Sequence, residues 1–489
     1  MGRSSTKPKG PAWPTRAAAS AMPRGCQRAP DSSEVCVDAL AWLGGQGRDP
    51  AVAAEARAVG LLDVNRGILR DFGVDASVRR RGGASVIELH TSSRVGAFPL
   101  VSPLTGRPDF GLVIEPRFEW PSLGAVLATT GFRVIPQLLP LHELPQSERH
   151  VPRWVMSSVV LARVQALLDR LARRFTVTEA DLSAPRGAVR WERYANERIA
   201  AGRATEVPCT FPDLRDDEDL RAAIHVTLRA QREALLSQRA AGAVVLQLLA
   251  RCDELLARVR GTPPRPPRSA TFAAWKRQPM KSAAYREGLQ AIEWTTDERG
   301  LAGLSDLEGL AWMLDMEVFF EAWVETLAER VARATGSRLR VGRRGETRAS
   351  LAWHPAHAGS LRSLVPDVVI ERDDTVVVLD AKYKRHAEQL DREGWARVAE
   401  VVRERHRADV HQALAYSTLF DASRVVTCLV YPMSDDAFRS LVERGQVVTR
   451  ARVPAGHRRV ELAIVAAPMS ASPEDTTRAV EELVRAPLE

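Results

Sequence analysis

Residues 364–384 read LVPDVVIERDDTVVVLDAKYK, in which two apolar, largely β-branched runs at 368–370 and 376–379 flank the polar segment ERDDT. Such runs favour β-strands, and short stretches rich in aspartate favour turns. The stretch therefore predicts a β-hairpin, and this hairpin decides the fold class of the C-terminal part of the chain.

The register of this hairpin places three charged side chains together. If the chain turns symmetrically about Asp373 and Asp374, then Asp367 lies directly opposite Asp380, with Cβ atoms about 5 Å apart. Strand alternation puts Lys382 on the same face. Two carboxylates at that distance repel each other, and a hard cation such as Mg²⁺ removes the conflict by accepting oxygen from both. A neighbouring lysine can then stabilise charge on a phosphate or orient an attacking water.

An exposed strand edge with solvated charges is the alternative interpretation. It explains any one of the three charges. It does not explain why a nearly continuous apolar strand, typical of burial on both faces, ends in Asp380 and Lys382 on one side. The arrangement therefore favours a functional site.

Length and composition limit the class of protein. A chain of 489 residues predicts two or three domains, and 45% hydrophobic with 27% charged residues is typical of a globular protein. No apolar run reaches the length of a membrane span, which argues against a membrane protein. The five cysteines lie far apart in the sequence and fit a reducing compartment, so a cytoplasmic location is expected.

The formal charge of +8 comes mostly from arginine, whose planar fork suits phosphate groups. A chain that is simply rich in arginine explains the charge equally well. One basic segment, RVGRRGETR at 340–348, is a candidate phosphate contact, and a solvated loop explains it as well.

Changes in composition predict five regions. A disordered basic arm is expected at 1–33 and a β-rich N-terminal module, a candidate for partner contact, at 34–150. A helical middle region follows at 151–260, and a proline-rich linker at 261–271. The remaining residues, 272–489, are expected to form one further domain.

The order of elements around the hairpin predicts an α/β domain. An amphipathic helix is expected at 306–335, ending near Gly336, and one or two helices at 394–420. A further buried strand is expected at 424–432. Helices and strands in this order form a sheet flanked by helices.

The motifs in this domain resemble those of the PD-(D/E)XK nuclease superfamily. More specifically, PD at 366–367 followed by LDAKYK at 379–384 resembles the McrC family, the nuclease subunit of McrBC modification-dependent restriction systems. A helix similar to the family's precedes them at 315–324, and an acid and a glutamine follow on a helix at 407–416. The resemblance covers about 306–432 and implies a PD-(D/E)XK restriction-endonuclease-like fold with a mixed sheet flanked by helices.

The resemblance implies a set of metal ligands. Asp367 and Asp380 match the metal-binding acids, and the carbonyl of Ala381 is a further ligand. Glu321 matches the helix glutamate that completes such sites, and Glu317, one turn earlier on the same helix face, is its rival. An ordinary exposed glutamate is the alternative for either. The implied ion is Mg²⁺, with Mn²⁺ as a substitute.

Other matching residues are implied to act beside the metal. Lys382 matches the catalytic lysine. Gln412 and Tyr416 form a Q-x-x-x-Y pattern that shares a helix face with Asp409, and they are expected to hydrogen-bond the site or the DNA backbone. This pattern is common, and its meaning comes only from its place after the D-x-K strand.

The function implied by the resemblance is that of a Mg²⁺-dependent DNA endonuclease subunit in anti-phage defence. Since the sequence contains no G-x-x-x-x-G-K-[ST], an AAA+ GTPase resembling McrB is the expected partner in a hetero-oligomer. Two alternatives stay open: a stand-alone DNA repair nuclease of the same fold, and a non-catalytic adaptor that activates a motor NTPase. The presence of Asp367, Asp380 and Lys382 together argues against the adaptor.

Overall fold

A computed structural model of the chain describes most of the sequence. The residues that it describes are 25–45, 49–139, 152–171, 174–215, 217–277, 282–296, 311–355, 359–455, 458–470 and 472–486. Within these ranges no helix has the length and apolar character needed to cross a bilayer.

The N-terminal module is rich in strands, as the sequence predicts. Strands β2, β4 and β3 form an antiparallel three-stranded sheet, and β1, β6, β5 and β7 belong to a second sheet that a later strand completes. The elements are β1 Gly25–Pro30, β2 Glu34–Asp38, α1 Ala39–Leu43, α2 Pro50–Val64, α3 Arg66–Asp71, β3 Asp75–Arg81, β4 Ala84–His90, β5 Arg94–Leu100, β6 Phe110–Glu115, α4 Trp120–Thr129 and β7 Gln137–Leu138.

Strand β1 lies inside the segment that the sequence predicts to be a disordered arm. It pairs in parallel with β6 along its whole length, so the prediction that the arm extends to residue 33 is wrong. The pairing partner lies about 85 residues further along the chain, where local composition gives no sign of it. Residues 1–24 lie outside the described part of the chain.

The middle region is mainly helical but also contains a small sheet, in the order β8-β10-β9. A π-helix, Tyr194–Ile199, follows α6, and a 3-10 turn, Arg239–Ala241, precedes α8. The elements are α5 Arg153–Asp169, β8 Arg174–Leu182, β9 Ala188–Val189, α6 Trp191–Arg193, β10 Val207–Arg215, α7 Glu218–Leu236, α8 Ala243–Val259, α9 Ser269–Arg277 and α10 Ala283–Thr296.

Helices α5, α7 and α8 pack on one another, and α10 packs on α5 and α7. Helix α10 therefore belongs to the helical layer, although the sequence places it after the predicted linker and within the C-terminal domain. The other predicted domain boundaries stay predictions.

The C-terminal part is built on a mixed six-stranded sheet in the order β12-β15-β16-β17-β19-β18. Strands β16, β17 and β19 run parallel, and the other neighbours are antiparallel. The elements are β11 Trp312–Asp315, α11 Met316–Thr335, β12 Arg338–Val341, a 3-10 turn Gly342–Arg344, β13 Ala349–Ser350, β14 Ser363–Leu364, β15 Val368–Arg372, β16 Thr375–Ala381, α12 His386–Glu393, α13 Glu400–Ser417, β17 Arg424–Met433, α14 Asp435–Glu443, β18 Val448–Ala455, β19 Arg458–Pro468 and α15 Glu474–Arg485.

Helices cover both faces of this sheet. Helices α11 and α15 pack against one face, and α13 and α14 pack against the other. Alternate residues of β16 enter different cores: Val377 and Leu379 lie in the core with α11, and Val376 and Val378 pack with Tyr416 of α13. The predicted α/β class, with a mixed sheet flanked by helices, is confirmed.

The helix predicted at 306–335 is shorter than expected. Residues 312–315 form β11, which lies between β5 and β7 and completes the N-terminal sheet. The Asp315 carboxylate accepts hydrogen bonds from the N–H groups of Glu317 and Val318, so α11 begins after this cap. The helix ends as expected at Gly336, which takes the left-handed conformation with φ of 67°. Residues 306–310 lie outside the described ranges.

The hairpin has the predicted register. Val368 pairs with Leu379, and Arg372 pairs with Thr375 around a turn at Asp373 and Asp374. The next pair outward is therefore Asp367 and Asp380.

Candidate active site

The two motif aspartates lie together at the open end of the hairpin. Asp367 directly precedes β15, and Asp380 is the penultimate residue of β16 with only 2% of its surface exposed. The N–H group of Ala381 donates a hydrogen bond of 2.8 Å to Asp367 Oδ2, which ties the first acid to the second strand. The sequence-predicted pair is thus brought together by the hairpin itself.

Burial dominates the electrostatics of this pair. It raises the pKa of Asp367 to about 8, and the charges of Asp380 and Glu321 add to the effect. Burial also raises the pKa of Asp380, against the opposing influence of Lys382. Each carboxylate therefore favours a bound proton or a neighbouring cation over the free anion.

A chain of polar contacts orients Lys382. Its Nζ lies 2.7 Å from Asp380 Oδ2 and donates a 3.0 Å hydrogen bond to Gln412 Oε1. Gln412 Nε2 donates to the Tyr416 hydroxyl at 2.8 Å, and this hydroxyl donates to the carbonyl of Val365 at 3.2 Å. Because burial raises the pKa of Tyr416 to about 12, its hydroxyl stays a donor at neutral pH. The structure therefore places Gln412 beside the lysine, and Tyr416 contacts Gln412 on its other side.

The rival helix glutamates have different surroundings. Glu321 is half-buried and lines a pocket of about 300 Å³ together with Asp367. Burial raises the pKa of Glu321, and the charge of Glu317 adds to this effect. Glu317 is exposed and accepts a 2.9 Å hydrogen bond from the Ser93 hydroxyl. The structure thus brings Glu321, and not Glu317, to the motif aspartate.

The acids do not close into one compact ligand set. Among the described residues, the only three ligand side chains whose ligand atoms all lie within 4.8 Å of one another are Glu34, Cys36 and Glu88, on β2 and β4. Glu321, Asp367 and Asp380 therefore do not all lie within 4.8 Å of one another, although Glu321 shares a pocket with Asp367. Ala381, whose carbonyl is the remaining predicted ligand, is half-buried at the end of β16.

A second lysine of the LDAKYK stretch also has a buried partner. Lys384 forms an ion pair with Asp409 of α13, and the Tyr431 hydroxyl donates to the same carboxylate at 3.2 Å. The sequence places Asp409 on the helix face of Gln412 and Tyr416, but it does not reveal this pairing. The segment that follows β16 is thus held to α13 by both lysines.

Tyr383, between these lysines, faces the N-terminal module. Its ring lies 4.4 Å from the Arg117 guanidinium and packs edge-on against Phe118, with centroids 6.0 Å apart. Burial raises the pKa of Tyr383 well above its usual range, and the Asp31 carboxylate acts in the same direction. Asp31 and Arg117 therefore contact the segment after β16 from a distant part of the chain, and no local pattern in the sequence predicts this.

A sequence profile of the family described as "McrBC 5-methylcytosine restriction system component" matches residues 130–432. This chain belongs to the McrBC family. The matched stretch is more than half of the 489 residues, and it contains all the residues of the predicted site. Membership of the McrBC family, expected from the motifs, is confirmed.

Two solved assemblies similar to this McrBC family member come from Thermococcus gammatolerans. One is a refined half-complex from a tetradecameric assembly of McrB AAA+ hexamers with bound McrC; it is 15% identical, with a TM-score of 0.42, and the match covers 94% of this chain and 100% of that chain. The other is the McrBC complex, 14% identical with a TM-score of 0.25, covering 63% of this chain and 88% of that chain. No curated protein matches the chain.

Proposed function

We propose that this chain is an McrC-like nuclease subunit of an McrBC-type restriction system, with a PD-(D/E)XK fold, that hydrolyses phosphodiester bonds of DNA. The observation that carries the proposal is the hairpin end, where Asp367 faces Asp380 and Lys382 contacts the second carboxylate at 2.7 Å. A solvated strand edge does not fit a pair of acids of which one is 98% buried. Membership of the McrBC family supports the same function.

The donor set fits Mg²⁺, or Mn²⁺ in its place. Asp367 and Asp380 supply hard oxygen ligands, and the carbonyl of Ala381 and the Glu321 carboxylate are further candidates. A divalent cation offsets the repulsion that helps to raise the pKa of Asp367 to about 8. When bound, the ion supplies Lewis-acid stabilisation of a phosphate and makes water more acidic.

Residues of the chain provide the rest of the chemistry. Lys382 carries a positive charge beside the acids and can donate hydrogen bonds to a phosphate oxygen as negative charge develops there. Gln412 restrains the Lys382 ammonium through a 3.0 Å hydrogen bond, and Tyr416 restrains Gln412. Hydrogen bonds of this kind, made by residues that do not touch the substrate, keep the lysine in the position that the reaction needs.

The expected partner is an AAA+ GTPase resembling McrB, in a cytoplasmic defence system against phage DNA. The sequence contains no G-x-x-x-x-G-K-[ST] phosphate-binding motif. We therefore assign movement along DNA to a second protein, and the McrBC family membership favours a partner of the McrB kind.

The test is Mg²⁺-dependent cleavage of methylated and unmethylated plasmid DNA by the full chain together with an AAA+ GTPase resembling McrB from the same source. The wild type is expected to cut one of the substrates, and Asp380→Ala is expected to be inactive. Asp436→Ala is the matched control, because the Asp436 side chain is 90% exposed and distant in sequence from the motif. Equal cleavage by the wild type and Asp380→Ala would overturn the proposal, and cleavage without a partner would favour a stand-alone nuclease.

A further inference from the structure

The 3-10 turn Gly342–Arg344 is fixed against the motif aspartate. The N–H group of Gly342 donates a 2.8 Å hydrogen bond to the carbonyl of Asp367. A Cβ atom on Gly342 would come within 2.5 Å of the Pro366 carbonyl oxygen, so only glycine allows this approach. The arginine that follows is therefore presented at a set position beside the acids.

A buried carboxylate holds this arginine from behind. Glu325 is 3% exposed and accepts hydrogen bonds from Arg343 at 2.6 Å, Arg344 at 2.7 Å and Arg133 at 3.1 Å. Glu329 accepts from Arg344 at 3.1 Å and from Arg133 at 2.7 Å. Three guanidinium groups thus share two carboxylates, which leaves one positive charge in excess.

Only one arginine of the turn reaches the pocket. Arg343 lines the 300 Å³ pocket together with Glu321 and Asp367, and it is the only cationic side chain among the described residues that line it. Arg344 binds the same carboxylate but does not line the pocket. The Arg343 side chain is 36% exposed, and of its five N–H donors the bond to Glu325 uses one.

We propose that Arg343 binds a phosphate of the DNA backbone next to the one that is cut. This inference rests on the proposed nuclease function. The planar guanidinium of Arg343 can donate two parallel hydrogen bonds to phosphate oxygens. Because Glu325 already fixes its orientation, little side-chain entropy is lost on binding. The phosphate would lie at this guanidinium, beside the one held at the acids of the motif.

The experiment compares Arg343→Ala with Arg344→Ala in the full chain. Arg343→Ala loses one ion pair with Glu325, whereas Arg344→Ala loses one with Glu325 and one with Glu329. The second variant therefore disturbs the ion-pair cluster at least as much, and only the first loses the pocket cation. Binding to a fluorescein-labelled DNA duplex is measured by anisotropy in EDTA at several salt concentrations, where no metal-dependent cleavage occurs. Arg343→Ala is expected to bind about tenfold to a hundredfold more weakly and to reduce the slope of log affinity against log salt by about one.

A lysine substitution gives a second readout. Arg343→Lys keeps the positive charge and can still pair with Glu325, but it cannot form two parallel hydrogen bonds to the phosphate. Its affinity for DNA is therefore expected to lie between those of the wild type and Arg343→Ala. Arg344→Ala is expected to stay within about twofold of the wild type, because rim charges that do not touch the ligand contribute little.

Equal weakening by Arg343→Ala and Arg344→Ala, or no weakening by either, would overturn the inference. The binding assay is independent of cleavage. If the wild type fails to cut DNA while Arg343→Ala still weakens binding selectively, the nuclease proposal fails and the phosphate site stands. If the wild type cuts DNA, and Arg343→Ala binds and cuts DNA as strongly as the wild type does, only the phosphate site fails.

Discussion

Replacing Asp367 with asparagine is expected to stabilise the metal-free protein, and increasingly so as the pH rises. In the unfolded chain an aspartate ionises near pH 3.8, whereas burial and the neighbouring Asp380 raise the folded-state pKa of Asp367 to about 8. Between these values the unfolded state is ionised and the folded state keeps its proton, so stability falls as pH rises through this window. An asparagine at this position can accept from the Ala381 N–H and donate to the Asp380 carboxylate, without any charge to bury.

The size of the effect follows from the width of this window. Each pH unit within it changes the difference in unfolding free energy by about 1.36 kcal/mol. From pH 5 to pH 7 the upper limit is therefore about 2.7 kcal/mol, and water reaching the half-buried carboxyl reduces it to about 1–2 kcal/mol.

Urea unfolding of the wild type and Asp367→Asn in EDTA at pH 5, 6 and 7 measures this difference. Asp373→Asn is the matched control, since the Asp373 side chain lies in the turn of the same hairpin and is 89% exposed. Added Mg²⁺ is expected to stabilise the wild type but not Asp367→Asn. A stability difference that stays constant from pH 5 to pH 7 would refute the reasoning, because burial and Asp380 would then have no effect on this carboxyl.

Three further outcomes are expected. Gln412→Ala is expected to slow single-turnover cleavage about tenfold by removing the hydrogen bond that restrains the proposed catalytic lysine; an unchanged rate would contradict that restraint. Tyr383→Ala is expected to cost about 3–5 kcal/mol in urea unfolding, whereas Tyr383→Phe keeps the ring contacts and is expected to cost under about 2 kcal/mol; equal losses would show that ring packing is not what matters. Gly342→Ala is expected to cost about 1–3 kcal/mol because its Cβ would meet the Pro366 carbonyl oxygen. Gly67→Ala, whose Cβ would meet no atom within 4 Å, is expected not to destabilise the fold, and similar losses for both variants would argue against the clash.

The hairpin end was predictable because everything that forms it is local. Strand propensity, a two-residue turn and the alternation of side chains together place Asp367 opposite Asp380, and the pairing of Val368 with Leu379 has this register. No distant part of the chain is needed for that geometry. Gln412 likewise comes to lie near the end of β16 once α13 packs on the sheet, because of its place along the helix.

The errors arose where a segment pairs with a distant partner. Residues 312–315 lie within the helix that the sequence predicts at 306–335, but they pair with β5, which lies more than 200 residues earlier. Residues 25–30 were expected to be disordered, but they pair with β6. In both cases the hydrogen-bonding partner lies far away in the sequence, so local composition carries no sign of the strand.

The choice between the helix glutamates also needed the tertiary structure. Glu317 and Glu321 are four residues apart and share one helix face, so periodicity cannot separate them. The packing of α11 on the sheet brings Glu321 into the pocket of Asp367 and leaves Glu317 exposed beside Ser93.

The sequence by itself determined the hairpin register and the facing of Asp367 and Asp380, because these depend on neighbours within about 15 residues. It also determined the α/β class of the C-terminal part, through the order of its helices and strands. Only the tertiary structure decided which helix acid lies near Asp367, that Arg343 lines the same pocket, and that Asp31 and Arg117 contact Tyr383, just after β16. Those contacts join residues that are up to about 350 positions apart. Burial and long-range packing create them, and neither is encoded in any short stretch of the chain.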